Sequence, residues 1–142
     1  MPVSTDPARL TRVLDREGVV AAVIFGSRAT GDHREGSDLD VGVWLDPLLG
    51  TDERLRLRLA LDRALAEAGT SAPVDLVVLN GASHALRHRA LSTGRRILDR
   101  DPRRRVRLET DALISFLDTA PLRATRAVGT RARIAEGRFG RR

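Results

Sequence analysis

Two short stretches of the chain have the apolar, β-branched character of buried strands, and a third alternates apolar with polar residues in the manner of a half-buried one. Val19 to Phe25 (VVAAVIF) is an unbroken apolar run, the pattern of a strand covered on both faces. Asp38 to Leu45 (DLDVGVWL) alternates, so that Leu39, Val41, Val43 and Leu45 share one face while Asp38, Asp40, Gly42 and Trp44 share the other. Val74 to Leu79 (VDLVVL) is apolar except for Asp75, and a lone acid in such a strand needs a reason other than packing.

Helices fill the intervals. Asp6 and Pro7 read as N-cap and first helical residue, Leu10, Val13 and Leu14 form an apolar stripe, and Gly18 marks the helix end. Over residues 52–68 two signals conflict: Leu55, Leu57, Leu59 and Leu61 alternate like a strand, yet the composition is almost all Ala, Leu, Arg and Glu. These are strong helix formers without β-branching, Asp52 and Glu53 suit a helix N-terminus and Gly69 its end, so the segment is predicted helical. Further helices are predicted over 82–92 and from Pro102 to about Thr119, with a short strand at Arg95 to Leu98 and a terminal helical segment after Pro121. Residues 29–37, polar and punctuated by glycine, predict a short helix after Ser27 and then a loop lying over a substrate. The alternation of helix and strand predicts an α/β fold.

Length and charge narrow the picture. At 142 residues the chain is expected to form one domain, large enough to bury about 68 % of its unfolded surface without staples. Cysteine is absent, which excludes disulfides and thiolate metal sites and suits a reducing compartment. No apolar run approaches the ~20 residues needed to span a bilayer, and residues 1–18 contain acids where a signal peptide has its apolar core, so a cytoplasmic protein without membrane contact is expected. The net charge of +6 is localised: residues 1–121 hold 18 Arg against 18 acids, and residues 122–142 hold 7 Arg against Glu136 alone. Residues 1–121 are therefore expected to form the main domain, and 122–142 a basic helical tail. That tail is either part of the same domain or a contact for an acidic partner, a triphosphate or RNA; a solvated end is the plain alternative. Every basic residue is Arg and none is Lys, a bias that a GC-rich genome also produces.

Candidate chemistry gathers at the strand ends. The first strand leaves through Gly26-Ser27, where glycine admits close approach of a ligand and a hydroxyl with free N–H groups at a helix start cradles phosphate oxygens; Arg28 adds a cationic donor. Asp38 and Asp40 point the same way with Cα atoms about 6.6 Å apart, so both can converge on one or two hard cations, Mg²⁺ foremost. An ion also removes the mutual repulsion that would otherwise favour a proton on one of them. If the Val74 to Leu79 strand lies beside them, Asp75 completes a triad able to hold two ions about 3.5–4 Å apart and to help deprotonate an attacking hydroxyl. Alone, a Gly-Ser pair is a turn and Asp-x-Asp a solvated strand edge; it is their combination that points to phosphoryl chemistry. His84 and His88 share a helix face, but HALRH lacks the Glu of H-E-x-x-H. Arg103 to Arg105 reads as a solvated charge run with a partner or nucleotide contact as the alternative, and Trp44 as core or sheet-face packing. No Walker loop or Ser-His-Asp order is present.

GSRATGDHREGSDLDVGV, with VDLVVLN downstream, resembles the signature of the DNA polymerase beta-like nucleotidyltransferase superfamily, specifically its minimal nucleotidyltransferase branch: Gly-Ser, ten residues, Asp-x-Asp, and a later third Asp. The positions Gly26, Ser27, Asp38 and Asp40 all keep the motif. A helix before the first strand, the segment Thr93 to Leu98 (TGRRIL) and the Arg-rich end (ARIAEGRFGRR) resemble that branch too, so the similarity covers most of the chain. The resemblance implies a small mixed sheet with flanking helices, and a Mg²⁺-dependent transfer of AMP from ATP. It further implies that the chain is the antitoxin of a two-gene module whose partner, in a hetero-oligomer, is a HEPN-type ribonuclease toxin carrying the acceptor hydroxyl. Asp38 and Asp40 would then hold the metals, Asp75 would share one and act as base, and Gly26 and Ser27 would hold the terminal phosphates. Two other readings stay open: a non-catalytic antitoxin that masks its toxin, and a small-molecule nucleotidyltransferase such as one modifying an antibiotic. Direct nucleic-acid binding is undecided at this level.

Overall fold

The computed structural model describes residues 6–26, 38–70, 72–122 and 124. Its elements run α1 (Pro7–Leu14), β1 (Val19–Phe25), β2 (Leu39–Leu45), α2 (Thr51–Glu67), β3 (Val74–Val78), a 3-10 turn (Leu79–Gly81), α3 (His84–Thr93), β4 (Arg95–Asp99) and α4 (Pro102–Asp118). The sheet has the order β3-β2-β1-β4. β1 pairs antiparallel with β2 and β4, and β2 pairs parallel with β3, so the sheet is mixed. No helix among the described residues is long and apolar enough to cross a membrane.

Each face of the sheet has its own core. Leu39, Val41, Val43 and Leu45 of β2 pack with Leu10 and Leu14 of α1 and Leu61 and Leu65 of α2. The opposite face packs Phe25 and Trp44 against Leu79, Ala90 of α3 and Ala112 of α4. The alternation in the sequence thus separates the two layers as read, and Trp44 is a core residue. β1 is buried at all seven positions because it is central and covered on both sides. It also carries an irregularity between Val19 and Ala21, where the partner register moves only from Leu45 to Trp44. Val20 and Ala21 both face the Trp44 layer in consequence.

Local chemistry explains the boundaries. Asp6 caps α1 by accepting from the Ala8 N–H at 3.0 Å, with Pro7 in the first turn. That helix ends at Leu14, and Gly18, at φ +91, turns the chain into β1. The conflict over residues 52–68 resolves as helix: Leu61 and Leu65 are buried, whereas Leu55 and Leu59 face solvent. β3 is shorter than its apolar run, because Leu79 already belongs to the 3-10 turn. There the Asn80 side chain takes over the pairing, donating to the Leu45 carbonyl and accepting from the Leu45 N–H, both at 2.8 Å. The predicted short helix and loop over 29–37 lie outside the described residues, as does the basic tail from 125 onward.

Candidate active site

Register brings the acids together. The antiparallel pairing of β1 with β2 sets Phe25 opposite Asp40, so Gly26 leaves β1 beside the Asp40 carboxylate. The parallel pairing of β2 with β3 sets Asp40 directly beside Asp75, one strand spacing of about 4.8 Å away. Asp38 stands just before β2, exposed, and Asp75 is exposed on the edge strand, while Asp40 is partly buried. The sheet therefore presents its carboxylates at one end, on the face that α3 crosses.

Gly26 is needed there for two reasons. It adopts φ +82, a conformation that side chains rarely tolerate, and a Cβ at this position would collide with the Asp40 Oδ2. The same Cβ position is 3.4 Å from the Arg89 Nη2. Arg89, from α3, thus reaches the point where the β1 exit and Asp40 meet. Burial pushes the Asp40 carboxyl above its ordinary 3.8, and the neighbouring Asp75 pushes it further. Arg89 works against this rise, and Asp38 adds to it.

Sequence reasoning missed Arg89. Residue type gave no signal, since all 25 basic residues of the chain are Arg. The available signal was topological: Arg89 precedes the buried Ala90 on the helix that follows the Asp75 strand, and that helix packs on the acid-bearing face. The structure brings together Gly26, Asp40, Asp75, Asp38 and Arg89. Ser27 and Arg28, the other two nucleotide-binding candidates, lie outside the described residues.

The donor set suits a hard cation. Carboxylates alone, without Cys or His, favour Mg²⁺ over zinc. Among the described residues no three His, Cys, Asp or Glu side chains form a group that could hold a metal ion. Mg²⁺ takes one or two carboxylates and completes its shell with water and substrate phosphate oxygens.

The other residues singled out in the sequence have structural places. The His88 ring stacks on Phe116 of α4, with centroids 3.8 Å apart and planes 7° from parallel. His84 Nδ1 is buried without a hydrogen-bond partner among the described residues. Within the Arg103 to Arg105 run, Arg104 pairs with Asp46 at 2.6 Å, and Arg105 pairs with Asp99 at 3.0 Å and Glu109 at 2.9 Å. Two of these cations therefore staple the start of α4 to the ends of β2 and β4 rather than forming a solvated run.

The family described as polymerase beta, nucleotidyltransferase, matches the chain over residues 9–103. No curated protein matches it in sequence. Among solved structures, the chain is similar to a toxin–antitoxin crystallised with AMP-PNP, at TM-score 0.68 and 20 % identity over 89 % of this chain and 98 % of that one. It is also similar to the toxin–antitoxin MntA-HepT, at TM-score 0.62 and 18 % identity over 88 % and 96 % of the two chains. A tri-AMPylated Shewanella oneidensis HEPN toxin in complex with MNT antitoxin gives TM-score 0.62 and 18 % identity over 88 % and 95 %. At these identities the likeness is one of fold.

Proposed function

The chain belongs to the polymerase beta nucleotidyltransferase family, and we propose that it is an antitoxin that transfers AMP from ATP to a hydroxyl of a HEPN-type toxin, with Mg²⁺ as cofactor. The observation that carries this reading is the register match of Asp40 with Asp75 at the point where Gly26 leaves β1. Two carboxylates side by side, next to a glycine that makes room for one of them, fit a site for a metal-bound triphosphate and an acceptor. The structural neighbours support the partner and the nucleotide, since one carries AMP-PNP and another pairs an MNT antitoxin with a tri-AMPylated HEPN toxin.

In this reading the acceptor oxygen attacks the α-phosphorus in line, and pyrophosphate leaves. Mg²⁺, when bound, neutralises phosphate charge and lowers the barrier to that displacement. Asp38 and Asp40 would hold the ions, and Asp75, on the outer strand, would share one and take the hydroxyl proton. Gly26 and Ser27 would receive the terminal phosphates, with Arg28 as a further cationic donor. Arg89 offsets the like charges around Asp40 before substrate arrives.

Transfer of label from α-labelled ATP to the co-expressed HEPN-type partner tests the proposal. Mg²⁺-dependent labelling of the partner is the expected result. Purified protein that labels nothing, with Mg²⁺ or Mn²⁺ present, overturns it.

A further inference from the structure

The outer edge of β3 is flanked by a groove of about 500 Å³ that begins at Asp75. β3 itself lines it from Asp75 to Val78; Arg54, Leu55 and Arg58 of α2 form one wall, and Leu86 of α3 stands on the other. β3 is a terminal strand of the sheet, so only one of its edges is paired. The Leu39 N–H donates to the Pro73 carbonyl at 2.8 Å, which fixes the phase of the pairing. Residues 73, 75 and 77 turn their backbone groups toward β2, and Val74, Leu76 and Val78 turn theirs outward.

Exposed strand edges are normally blunted by charge, proline or irregular pairing. The opposite edge strand follows that rule: β4 carries exposed Arg95, Arg96 and Asp99, and its register shifts opposite Ala22 and Val23. The β3 edge carries one exposed charge, Asp75, at its start, and faces a wall in which Leu55, 55 % exposed, stands between Arg54 and Arg58. The Arg54 Nε is buried without a hydrogen-bond partner among the described residues, a costly state unless a ligand satisfies it. Among the described residues Arg58 makes only a loose intrahelical pair with Asp62, at 4.0 Å.

We propose that this groove is the acceptor site, in which an extended polypeptide segment adds to β3 as a fifth strand. The segment places an acidic side chain against Arg54 and Arg58, apolar side chains against Leu55 and Leu86, and its hydroxyl residue at Asp75. Three outward residues at alternate positions span about 13 Å, enough to hold roughly five residues in register. A polypeptide is favoured over RNA because the repeat of outward N–H and C=O groups on β3 matches another extended backbone, and the walls between the two cations are apolar. The inference rests on the adenylyl-transfer reading. In the transfer, the bond from the acceptor oxygen to the α-phosphorus forms, the bond from the α-phosphorus to the pyrophosphate oxygen breaks, and the hydroxyl proton passes to Asp75.

Two measurements on the full chain with its purified HEPN-type partner test it. Hydrogen exchange at the Leu76 and Val78 amides should slow at least tenfold in the complex. Arg54→Glu with Arg58→Glu should raise the KM for the partner at least tenfold while shifting the Kd for ATP less than twofold. Wild-type protein that labels its partner, with these amides unaffected and the acceptor KM of the variant unchanged, overturns the groove alone. Label appearing on RNA in place of the partner polypeptide also overturns it. If wild-type protein labels nothing, the transfer reading fails and the acceptor site fails with it.

Discussion

The Asp40 carboxylate occupies the space that a side chain on residue 26 would need. Gly26 is bound to Asp40 by shape as well as by backbone conformation, since a Cβ there meets the Asp40 Oδ2 and the chain runs at φ +82. The glycine at the end of β1 and the acid in the middle of the site are one steric unit.

Gly26→Ala is therefore expected to act on both. A non-glycine residue at this φ costs about 1–3 kcal/mol, and Asp40 has to move to make room. Melting temperature should fall, and label transfer per folded molecule should drop by roughly 10-fold or more, given how steeply activity depends on placement. Both quantities are measured on the same sample.

Asp38→Asn with Asp40→Asn removes the charge that would hold Mg²⁺ while keeping side-chain shape. Label transfer should fall by roughly 10² or more. Mg²⁺ should raise the stability of the wild-type protein, by about 2.7 kcal/mol at 100 times its Kd, and should do so far less in the variant. Thermal melts with and without Mg²⁺ check this. A variant that transfers no label yet still neutralises the toxin identifies a masking antitoxin.

Asp75→Asn separates chemistry from structure. Asp75 is exposed and adds to the like charge around Asp40, so its neutralisation should leave the metal-free fold as stable or slightly more so. Transfer should nevertheless fall by roughly 10² if this acid carries the proton or an ion. A loss of stability with kcat intact would make Asp75 a structural residue.

Arg89→Leu tests the electrostatic balance through pH. Burial first, then Asp75, holds the Asp40 carboxyl above 3.8, and Arg89 opposes the rise. Removing that cation moves the Asp40 titration to higher pH, so the acid limb of kcat/KM should shift upward in pH in the variant. The same raised carboxyl has a stability consequence in metal-free protein. The folded state binds the proton more tightly than the unfolded state, so its stabilising contribution is complete below 3.8 and is lost as pH rises through the folded-state value. Asp40→Asn should flatten that slope, which chemical denaturation across pH measures.

Asn80→Ala should cost about 2 kcal/mol, because it strands both the N–H and the C=O of the fully buried Leu45. Denaturant midpoints measure the loss. Since Asn80 stands at the far end of β3 from Asp75, transfer per folded molecule should change little.

How much of this was legible beforehand depended on range along the chain. The Val19 to Phe25 run and the alternation around Asp38 and Asp40 record which residues are covered, and burial is what hydrophobic pattern encodes. Asp75 was legible for the same reason, as a charge where packing wanted none. Its edge position was not, because an apolar strand looks alike whether its outer side is covered by a neighbouring strand or by a helix wall. Arg89 was invisible because its role comes from a helix crossing the sheet. Arg104 and Arg105 looked solvated, because Asp46 and Asp99, the long-range acids they meet, are brought near by β2 and β4 rather than by helical spacing.

The irregularity at Val20 and Ala21 decouples the two halves of β1. Val19 packs with the Leu10 layer, and from Ala22 onward the strand alternates again, with Phe25 on the opposite layer. The extra residue works as a parity switch: it lets the entry from α1 and the exit at Gly26 each keep the face it needs, although seven strictly alternating residues would tie both ends to one side. Pairing all seven residues of β1 without the irregularity would force a choice between docking α1 and aiming the exit at Asp40. The strand would still form and still be apolar, but it would deliver the chain with one end out of step.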